Sequence, residues 1–173
     1  MATTTGAAQQ TLEFRPLGNV LITGGCGFLG GNIISLLSSR SASNNIHVID
    51  LRPSASPQPD VKYHFGDITD YDAMCEVFDE ARPQVVIHTA SPHFNINNPE
   101  IMYKVNVEGT QNLIKVAQEK GVRAFVYTSS ASVISDTQTD LVNADEEYPL
   151  VMGKEQPEYY TTTKVRLCHD FHS

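Results

Sequence analysis

The stretch Thr23-Gly24-Gly25-Cys26-Gly27-Phe28-Leu29-Gly30 follows the apolar run Val20-Leu21-Ile22 and leads into a segment with apolar residues at helical spacing. This order predicts a strand, a glycine turn and the start of a helix. Three of these glycines each have a structural role that a larger residue could not fill. Gly24 lets the chain turn off the strand, Gly27 removes a side chain where a pyrophosphate approaches, and Gly30 lets the helix pack closely on the strand.

The helix that begins at Phe28 and Leu29 presents free N–H groups and a positive dipole end, which suit the phosphates of a dinucleotide. Such a turn also requires an acidic residue about 20 positions further on, at the end of the next strand. Asp50 stands there. Its carboxylate can accept hydrogen bonds from ribose hydroxyls and would repel a 2′-phosphate, which predicts NAD as the cofactor. Arg52 follows two residues later and leaves NADP open.

The composition is that of one ordinary globular domain. The chain has 173 residues with 12 Lys and Arg against 20 Asp and Glu, a net charge of −8. Because there is no basic stripe, nucleic acid is not expected as a partner. Cys26, Cys75 and Cys168 have unrelated spacings, so we expect reduced thiols in the cytoplasm and no metal site. Neither a signal peptide nor a membrane span is expected, since the N-terminus is polar and no apolar run approaches ~18 residues.

Strand and helix patterns alternate along the chain, which predicts an α/β fold with a doubly wound parallel sheet of the Rossmann type. We expect residues 1–17 to be a flexible lead-in and residues 18–173 to form the NAD(P)-binding domain. The predicted strands are Asn19–Thr23, Ile46–Asp50, Val61–Phe65, Val85–His88 and Ala124–Ser129. The predicted helices are Leu29–Leu37, Tyr71–Glu80, about Glu100–Lys120 and one from Glu158 onward, with a polar loop over 134–157.

In an open parallel sheet, ligands bind beyond the carboxyl ends of the strands. After the third strand, Asp67 can accept from the amino group of an adenine and Ile68 can pack on its ring, and a plain turn is the alternative. After the fourth strand, Thr89, Ala90 and Ser91 offer small side chains where a cofactor would cross the sheet, and tight backbone packing is the alternative. These five residues belong to the predicted cofactor site, which also includes Tyr160 and Lys164.

A second motif lies near the end of the chain, where Lys164 follows Tyr160 by four residues. On a helix, that spacing puts both side chains on one face. A nearby ammonium stabilises a phenolate, so the pair predicts an acid and base that works near neutral pH, and the lysine can also donate to a nicotinamide ribose. Tyr159 is the adjacent candidate, but only Tyr160 has a lysine four residues on. Packing at the surface is the alternative role for this pair.

These motifs together resemble the extended short-chain dehydrogenase/reductases. The matching segments, in chain order, are the glycine turn 23–30, Gly66-Asp67, His88-Thr89-Ala90-Ser91, Asn106-Val107-Glu108-Gly109-Thr110, Tyr127-Thr128-Ser129-Ser130 and the pair Tyr160 and Lys164. Within that superfamily the chain is most similar to the 3β-hydroxysteroid dehydrogenase group, particularly to the decarboxylating sterol-4α-carboxylate 3-dehydrogenases. The segments that carry this closer similarity are 86–92, 105–112, 126–133 and 143–146.

The resemblance implies a role for each catalytic residue. Ser130 would hold the substrate oxygen, with Ser129 as a second candidate. Tyr160 would take the hydroxyl proton, and Lys164 would support the phenolate and hold the ribose. Hydride would pass from C3 of a 3β-hydroxysteroid or 4-carboxysterol to nicotinamide, and a carboxyl group at C4 would then leave as carbon dioxide. The family also implies an apolar steroid pocket and peripheral association with the endoplasmic reticulum membrane.

Members of this group are much longer, and their additional half builds most of the substrate site. We therefore expect a domain that lacks the C-terminal substrate domain, binds cofactor more readily than it turns over substrate, and pairs with a second copy through an open sheet edge. The alternatives are another extended-family enzyme, such as a nucleotide-sugar epimerase or a ketone reductase, and a non-catalytic NAD(P)-binding module.

Two further polar residues have less obvious roles. His88 ends a buried strand, where a core histidine with satisfied hydrogen bonds is expected rather than a ligand. The family motif implies that Asn106 braces the active site, and packing inside the helix is the alternative.

Overall fold

A single parallel sheet of five strands carries the site. The structure, a computed structural model, describes residues 16–40, 45–93, 95, 96, 98–145 and 147–170, the last four as backbone only. The strands are β1 (Asn19–Thr23), β2 (Asn45–Asp50), β3 (Val61–Phe65), β4 (Val85–His88) and β5 (Ala124–Tyr127). Their order is β3-β2-β1-β4-β5, and every neighbouring pair is parallel. This order is that of a doubly wound Rossmann sheet, as predicted. Of the predicted lead-in, only residues 16 and 17 lie within the described part.

The described residues form five α-helices, of which the first four lie between strands and the last follows β5: α1 (Phe28–Ser39), α2 (Tyr71–Ala81), α3 (Pro99–Tyr103), α4 (Thr110–Glu119) and α5 (Tyr159–Asp170). The start of α2 is set by Asp70, whose side chain accepts from the N–H of Ala73 at 3.0 Å. The start of α3 is set by Asn98, which accepts from the N–H of Ile101 at 3.1 Å and precedes a proline in the first turn. Both are the side-chain caps that the sequence favours at helix N-termini.

Alternate residues of the central strands enter two separate cores, one on each face of the sheet. Leu21 of β1 packs in one core, which α2 and α4 cover, and Val20 and Ile22 pack in the other, which α1 covers. Because both faces of the central strands are buried, β1 and β4 are apolar at every position except their ends. The polar side chains of these two central strands therefore lie only at the strand ends.

The elements differ from the sequence-based predictions in detail. The predicted helix Glu100–Lys120 is divided, because a π-helical segment over Lys104–Gly109 separates α3 from α4. Such a segment often marks a functional site. Strand β5 ends at Tyr127 rather than Ser129, since its pairing with β4 ends at His88. The polar loop over 134–157 is preceded by a 3₁₀ turn at Ala131–Ile134 and contains another at Gly153–Glu155.

Candidate active site at the carboxyl ends of the strands

The glycine turn is packed so closely that neighbouring backbone atoms leave two of its glycines, Gly24 and Gly30, no room for a side chain. Gly24 has a φ of 71°, and a Cβ there would lie 2.6 Å from the backbone N and Cα of Ala90. A Cβ on Gly30 would lie 2.6 Å from the carbonyl oxygen of Gly24 and from the Cα of Gly25. Since the obstructing atoms belong to the backbone, no rotation of a side chain relieves either contact. The turn therefore fixes α1 against the ends of β1 and β4.

The backbone N–H groups in the first turn of α1 have no side-chain cap and could bind an anion. Gly27 is the N-cap residue and provides no side-chain cap, and the first turn holds no acidic residue. A Cβ on Gly27 would meet one atom within 4 Å, the carbonyl oxygen of Gly24 at 3.2 Å. Phe28 is 91% exposed and Leu29 45% exposed, although both are apolar. An uncapped positive helix end is suited to a pyrophosphate, so the residues present fit a dinucleotide.

Asp50 lies beside the glycine turn and is held there by two backbone donors. The N–H of Cys26 donates to Oδ2 at 3.0 Å, and the N–H of Arg52 donates to Oδ1 at 3.2 Å. Each carboxylate oxygen has a second lone pair, so Asp50 can still accept from a pair of hydroxyl groups. The fold thereby joins the glycine turn to the acidic residue predicted to serve the same cofactor.

Asp67 and Ile68 follow β3, as predicted, and both have structural partners. The Oδ1 atom of Asp67 accepts from the N–H of Thr69 at 2.9 Å, which closes the turn before α2. Ile68 is 6% exposed and packs in the core, where a Cβ on Gly109 would lie 2.8 Å from its Cγ1. These residues therefore form the plain turn that was the alternative prediction. A contact of these two residues with adenine stays a prediction.

Thr89, Ala90 and Ser91 connect β4 to the rest of the site. The hydroxyl of Thr89 donates to the carbonyl oxygen of Thr23 at 2.7 Å, and the backbone of Ala90 is the obstacle to a side chain on Gly24. Ser91 is exposed, and its hydroxyl donates to Oδ1 of Asn106 at 2.9 Å. Tight backbone packing therefore explains the small residues here, and their contact with a cofactor stays a prediction.

Tyr160 and Lys164 lie together near the carboxyl end of β5. Lys164 is 3% exposed, and its Nζ donates to the carbonyl oxygen of Thr128 at 3.2 Å. The same Nζ lies 4.9 Å from the ring centroid of Tyr127 and 5.8 Å from that of Tyr160. Tyr160 itself is half-buried. Because a desolvated ammonium exerts a stronger field than an exposed one, Lys164 can stabilise a negative charge on this tyrosine.

Ser130 is connected to α5 by a short series of hydroxyl groups. It caps the 3₁₀ turn at Ala131–Ile134, and its Oγ lies 2.7 Å from Oγ of Ser132. The hydroxyl of Thr161, the residue after Tyr160, donates to Ser132 at 2.9 Å. Ser132 and Thr161 carry no recognisable sequence signal, because serine and threonine are common in loops and at helix starts. Only the fold places them beside the predicted catalytic serine.

Asn106 braces α5 through a residue that the sequence analysis did not identify. Its Nδ2 donates to Oγ1 of Thr163 at 2.9 Å, and the hydroxyl of Thr163 donates to the carbonyl oxygen of Tyr160 at 2.6 Å. Asn106 is 1% exposed and lies within the π-helical segment. The side chain of Asn106 therefore contacts α5, the helix that carries Tyr160 and Lys164, directly.

His88 is a buried histidine with both ring nitrogens in hydrogen bonds, as expected of a core residue. It is 1% exposed; Nδ1 lies 2.6 Å from Oγ1 of Thr23, and Nε2 lies 2.8 Å from Oγ1 of Thr110. Burial, and secondarily the positive charge of Lys164, lower the pKa of His88 from 6.5 to about 3. The imidazole is therefore neutral at physiological pH.

We expect the free energy of unfolding to fall as the pH drops from about 6.5 towards about 3, because unfolded His88 binds a proton that folded His88 does not. One such proton contributes a slope of about 1.4 kcal/mol per pH unit. Urea unfolding between about pH 7.5 and about pH 5 measures this slope. Burial also lowers the pKa of His47 and His64, so the variant carrying His47→Gln and His64→Gln isolates the part due to His88. A flat profile in that variant would contradict the prediction.

A cleft of about 260 Å³ lies beside Tyr160. It is lined on one side by the start of α3, including Asn98 and Met102, and on the other by Glu158 and Tyr160. The cleft gives a small molecule access to the tyrosine.

Among the described residues, no helix is both long enough and apolar enough to cross a membrane.

Residues 21–166 match the model of the 3-beta hydroxysteroid dehydrogenase/isomerase family. The chain is 41% identical over 140 residues to the decarboxylating sterol-4-alpha-carboxylate 3-dehydrogenase of Saccharomyces cerevisiae, a match that covers 76% of this chain and 40% of the relative. It is 35% identical over 168 residues to the 3 beta-hydroxysteroid dehydrogenase/Delta 5→4-isomerase of Mycobacterium tuberculosis, which covers 92% of this chain and 43% of the relative.

Among solved structures, the UDP-glucose 4-epimerase of Thermus thermophilus in complex with NAD is similar to this chain with a TM-score of 0.78 and 25% identity, over 88% of this chain and 49% of that one. Compared with the curated relatives that it matches, the chain spans about 40% of their length. From the family match over most of its residues, the chain belongs to the 3-beta hydroxysteroid dehydrogenase/isomerase family.

Proposed function

We propose that this domain binds NAD and performs the oxidation of a 3β-hydroxysteroid or a 4-carboxysterol. The single observation that carries the proposal is the position of the buried Lys164 ammonium, 5.8 Å from the ring centroid of Tyr160, which itself lines a cleft between the starts of α3 and α5. The names of the relatives support the substrate class, since those relatives are sterol-4-alpha-carboxylate and 3 beta-hydroxysteroid dehydrogenases. The relatives are longer than this chain, which covers about 40% of their length. The complete reaction is therefore proposed for a protein of the relatives' length that contains this domain.

The residues that would hold NAD follow from the geometry of the turn. The N–H groups in the first turn of α1, at Phe28 to Gly30, would bind the pyrophosphate, while the N–H of Gly27 donates to the carbonyl oxygen of Gly24 at 3.0 Å. Asp50, positioned by Cys26 and Arg52, would accept from the ribose hydroxyls, and this favours NAD over NADP. When bound, NAD supplies the acceptor for the hydride.

The remaining residues would hold and move a proton. The Tyr160 hydroxyl would take the proton of the substrate hydroxyl as a phenolate, which the Lys164 ammonium stabilises. Ser130 can accept from Ser132 and keep its own hydrogen for the substrate oxygen, since the two hydroxyls lie 2.7 Å apart. If the substrate has a carboxyl group at C4, its oxidation at C3 yields a β-keto acid, which loses carbon dioxide readily.

The test measures NADH formation with a panel of 3β-hydroxysteroids and 4-carboxysterols and, separately, the epimerisation of UDP-sugars, which returns the hydride to the sugar and leaves no net NADH. We expect NAD to bind and slow turnover to occur with a steroid, because this domain is expected to bind cofactor more readily than it turns over substrate. Epimerisation of a UDP-sugar without steroid oxidation would favour an epimerase, to which the similarity with the Thermus thermophilus enzyme points. NAD binding with no steroid turnover above that of Tyr160→Phe would favour a non-catalytic module.

Replacing Asp50 with alanine is expected to weaken NAD binding about tenfold and to leave NADP binding equal or tighter, because hydrogen bonds to a charged group contribute about 1.5–3 kcal/mol. Titration of both cofactors by calorimetry measures the change in preference. Asp140→Ala removes the same charge from an exposed loop and should leave both affinities unchanged. If the native chain binds NADP as tightly as NAD, the role of Asp50 is wrong.

We further propose that the protein resides in the cytoplasm, peripherally associated with the endoplasmic reticulum as the family resemblance implies, and forms a homodimer. The described cysteines Cys26 and Cys75 are free thiols, which fits a reducing compartment. The outer strands β3 and β5 each pair with one neighbour in the described sheet, which leaves an edge for a second copy. Light scattering and fractionation of the native protein test these two proposals.

A further inference from the structure

A series of buried hydrogen bonds runs from the end of β1 to the π-helical segment and passes through His88. The N–H of Ala90 lies 3.4 Å from Oγ1 of Thr23, which lies 2.6 Å from Nδ1 of His88. On the other side of the ring, Nε2 lies 2.8 Å from Oγ1 of Thr110, and that hydroxyl donates to the carbonyl oxygen of Asn106 at 2.7 Å. Thr23, His88, Thr110 and Asn106 are each at most 1% exposed.

The hydrogen positions in this series have one consistent assignment. Thr110 has a single hydroxyl hydrogen, which it gives to the carbonyl oxygen of Asn106, so its oxygen must accept from Nε2–H of His88. A neutral imidazole that donates from Nε2 has a bare Nδ1, which accepts from the hydroxyl of Thr23. Every donor therefore points from β1 towards Asn106.

The ring is also fixed by its packing. The centroid of Phe125 lies 6.1 Å from that of His88 in an edge-on arrangement, and the centroid of Tyr127 lies at 5.6 Å. A second proton on this imidazole would place a cation in a buried site that already contains the Lys164 ammonium, which disfavours it. The neutral form is thus favoured by the surroundings as well as by the hydrogen bonds.

We propose that His88, as the neutral Nε2–H tautomer, is a positioning residue that fixes Asn106 for the catalytic helix. Through Thr110 it holds the backbone of the π-helical segment against β1. The side chain of Asn106 can then donate to Thr163, which in turn donates to the carbonyl oxygen of Tyr160. The glycine turn and the catalytic tyrosine are thereby connected by one rigid path, a role that rests on the proposed function of Tyr160.

The tautomer is tested directly by long-range ¹H–¹⁵N correlation spectra of the ¹⁵N-labelled chain. We expect the Nε2–H form of His88 with no protonation between about pH 8 and about pH 5. An Nδ1–H tautomer, or a protonated ring at about pH 5, would overturn the proposal.

The link from His88 through Thr110 to Asn106 is tested with three threonine variants. Thr110→Val keeps the shape but removes the hydroxyl, Thr110→Ser restores it, and Thr162→Val removes a hydroxyl that bonds to a backbone carbonyl on an exposed part of α5. We expect Thr110→Val to shift the side-chain amide resonances of Asn106 and to lower kcat about tenfold with the KM for NAD within about twofold. Thr110→Ser and Thr162→Val should behave as the native chain in both measurements.

The two proposals fail in different ways. If the native chain oxidises no hydroxysteroid, the proposed function fails, while the tautomer and the Asn106 resonances still decide the role of His88. If the native chain is active and Thr110→Val matches Thr162→Val in kcat and in the Asn106 resonances, the positioning role is refuted and the proposed function stands. Thermal melting of each variant identifies any loss that is merely a loss of folding.

Discussion

Gly24→Ala should destabilise the domain by about 3 kcal/mol and abolish NAD binding. Two costs add at this position. A non-glycine residue at a φ of 71° is strained by about 1–2 kcal/mol, and a Cβ at 2.6 Å from the backbone of Ala90 forces β1 and β4 apart, an overpacking cost of about 1–3 kcal/mol. The same displacement moves the start of α1, where the phosphates would bind. Chemical denaturation and NAD titration measure the two effects.

Gly121→Ala is the matched control. Gly121 has a φ of 68°, but a Cβ there meets nothing within 4 Å. The variant carries the strain of the backbone without the contact, so we expect a loss of about 1–2 kcal/mol and unchanged NAD affinity. Equal losses in the two variants would show that the close approach to Ala90 contributes nothing to stability.

Tyr160→Phe should lower kcat for the hydroxysteroid about 10³-fold, within the range that general acid–base catalysis contributes. The substitution keeps the ring and removes the hydroxyl that would carry the proton. Because the proposed pyrophosphate and ribose contacts lie at α1 and Asp50, the dissociation constant for NAD should change less than about threefold. NADH formation and cofactor titration on the same preparation measure both quantities.

The neighbouring tyrosine provides a control that distinguishes chemistry from packing. Tyr159 is 41% exposed, and threonine stands four residues after it in place of lysine. Tyr159→Phe should lower kcat less than about threefold. If the large loss follows Tyr159→Phe and Tyr160→Phe stays active, the assignment of the catalytic tyrosine is wrong.

Much of the fold could be predicted because it depends on local patterns. The five strands are short runs rich in β-branched and aromatic residues, and three of them have the predicted bounds, Asn19–Thr23, Val61–Phe65 and Val85–His88. The π-helical segment could not be predicted, because Lys104–Gly109 continues the helical pattern of its neighbours and differs only in the hydrogen bonds that its backbone makes.

The candidate site also combines features that the sequence predicts with features that only the fold determines. The spacing of the glycines, the strand-end position of Asp50 and the four-residue spacing of Tyr160 and Lys164 are features of the chain itself. Ile68 shows what such patterns leave open. Its position after β3 predicts a contact with adenine, which stays a prediction. Only the fold shows that its side chain also packs in the core against Gly109, since the neighbours of a residue after a strand depend on which helix packs there.

The sequence by itself determined the class of fold, and it predicted the glycine turn as a phosphate site, Asp50 as its acidic partner and the tyrosine–lysine pair. Each of these depends on residues close in the chain or on strand ends that a parallel sheet must align. Only the tertiary structure decided how these parts are connected. The bond from Asn106 to Thr163 joins residues 57 positions apart, and that from Thr23 to His88 joins residues 65 positions apart. Hydrogen bonds between common side chains leave no periodic pattern, so the buried path through His88 exists only once the sheet and helices are packed.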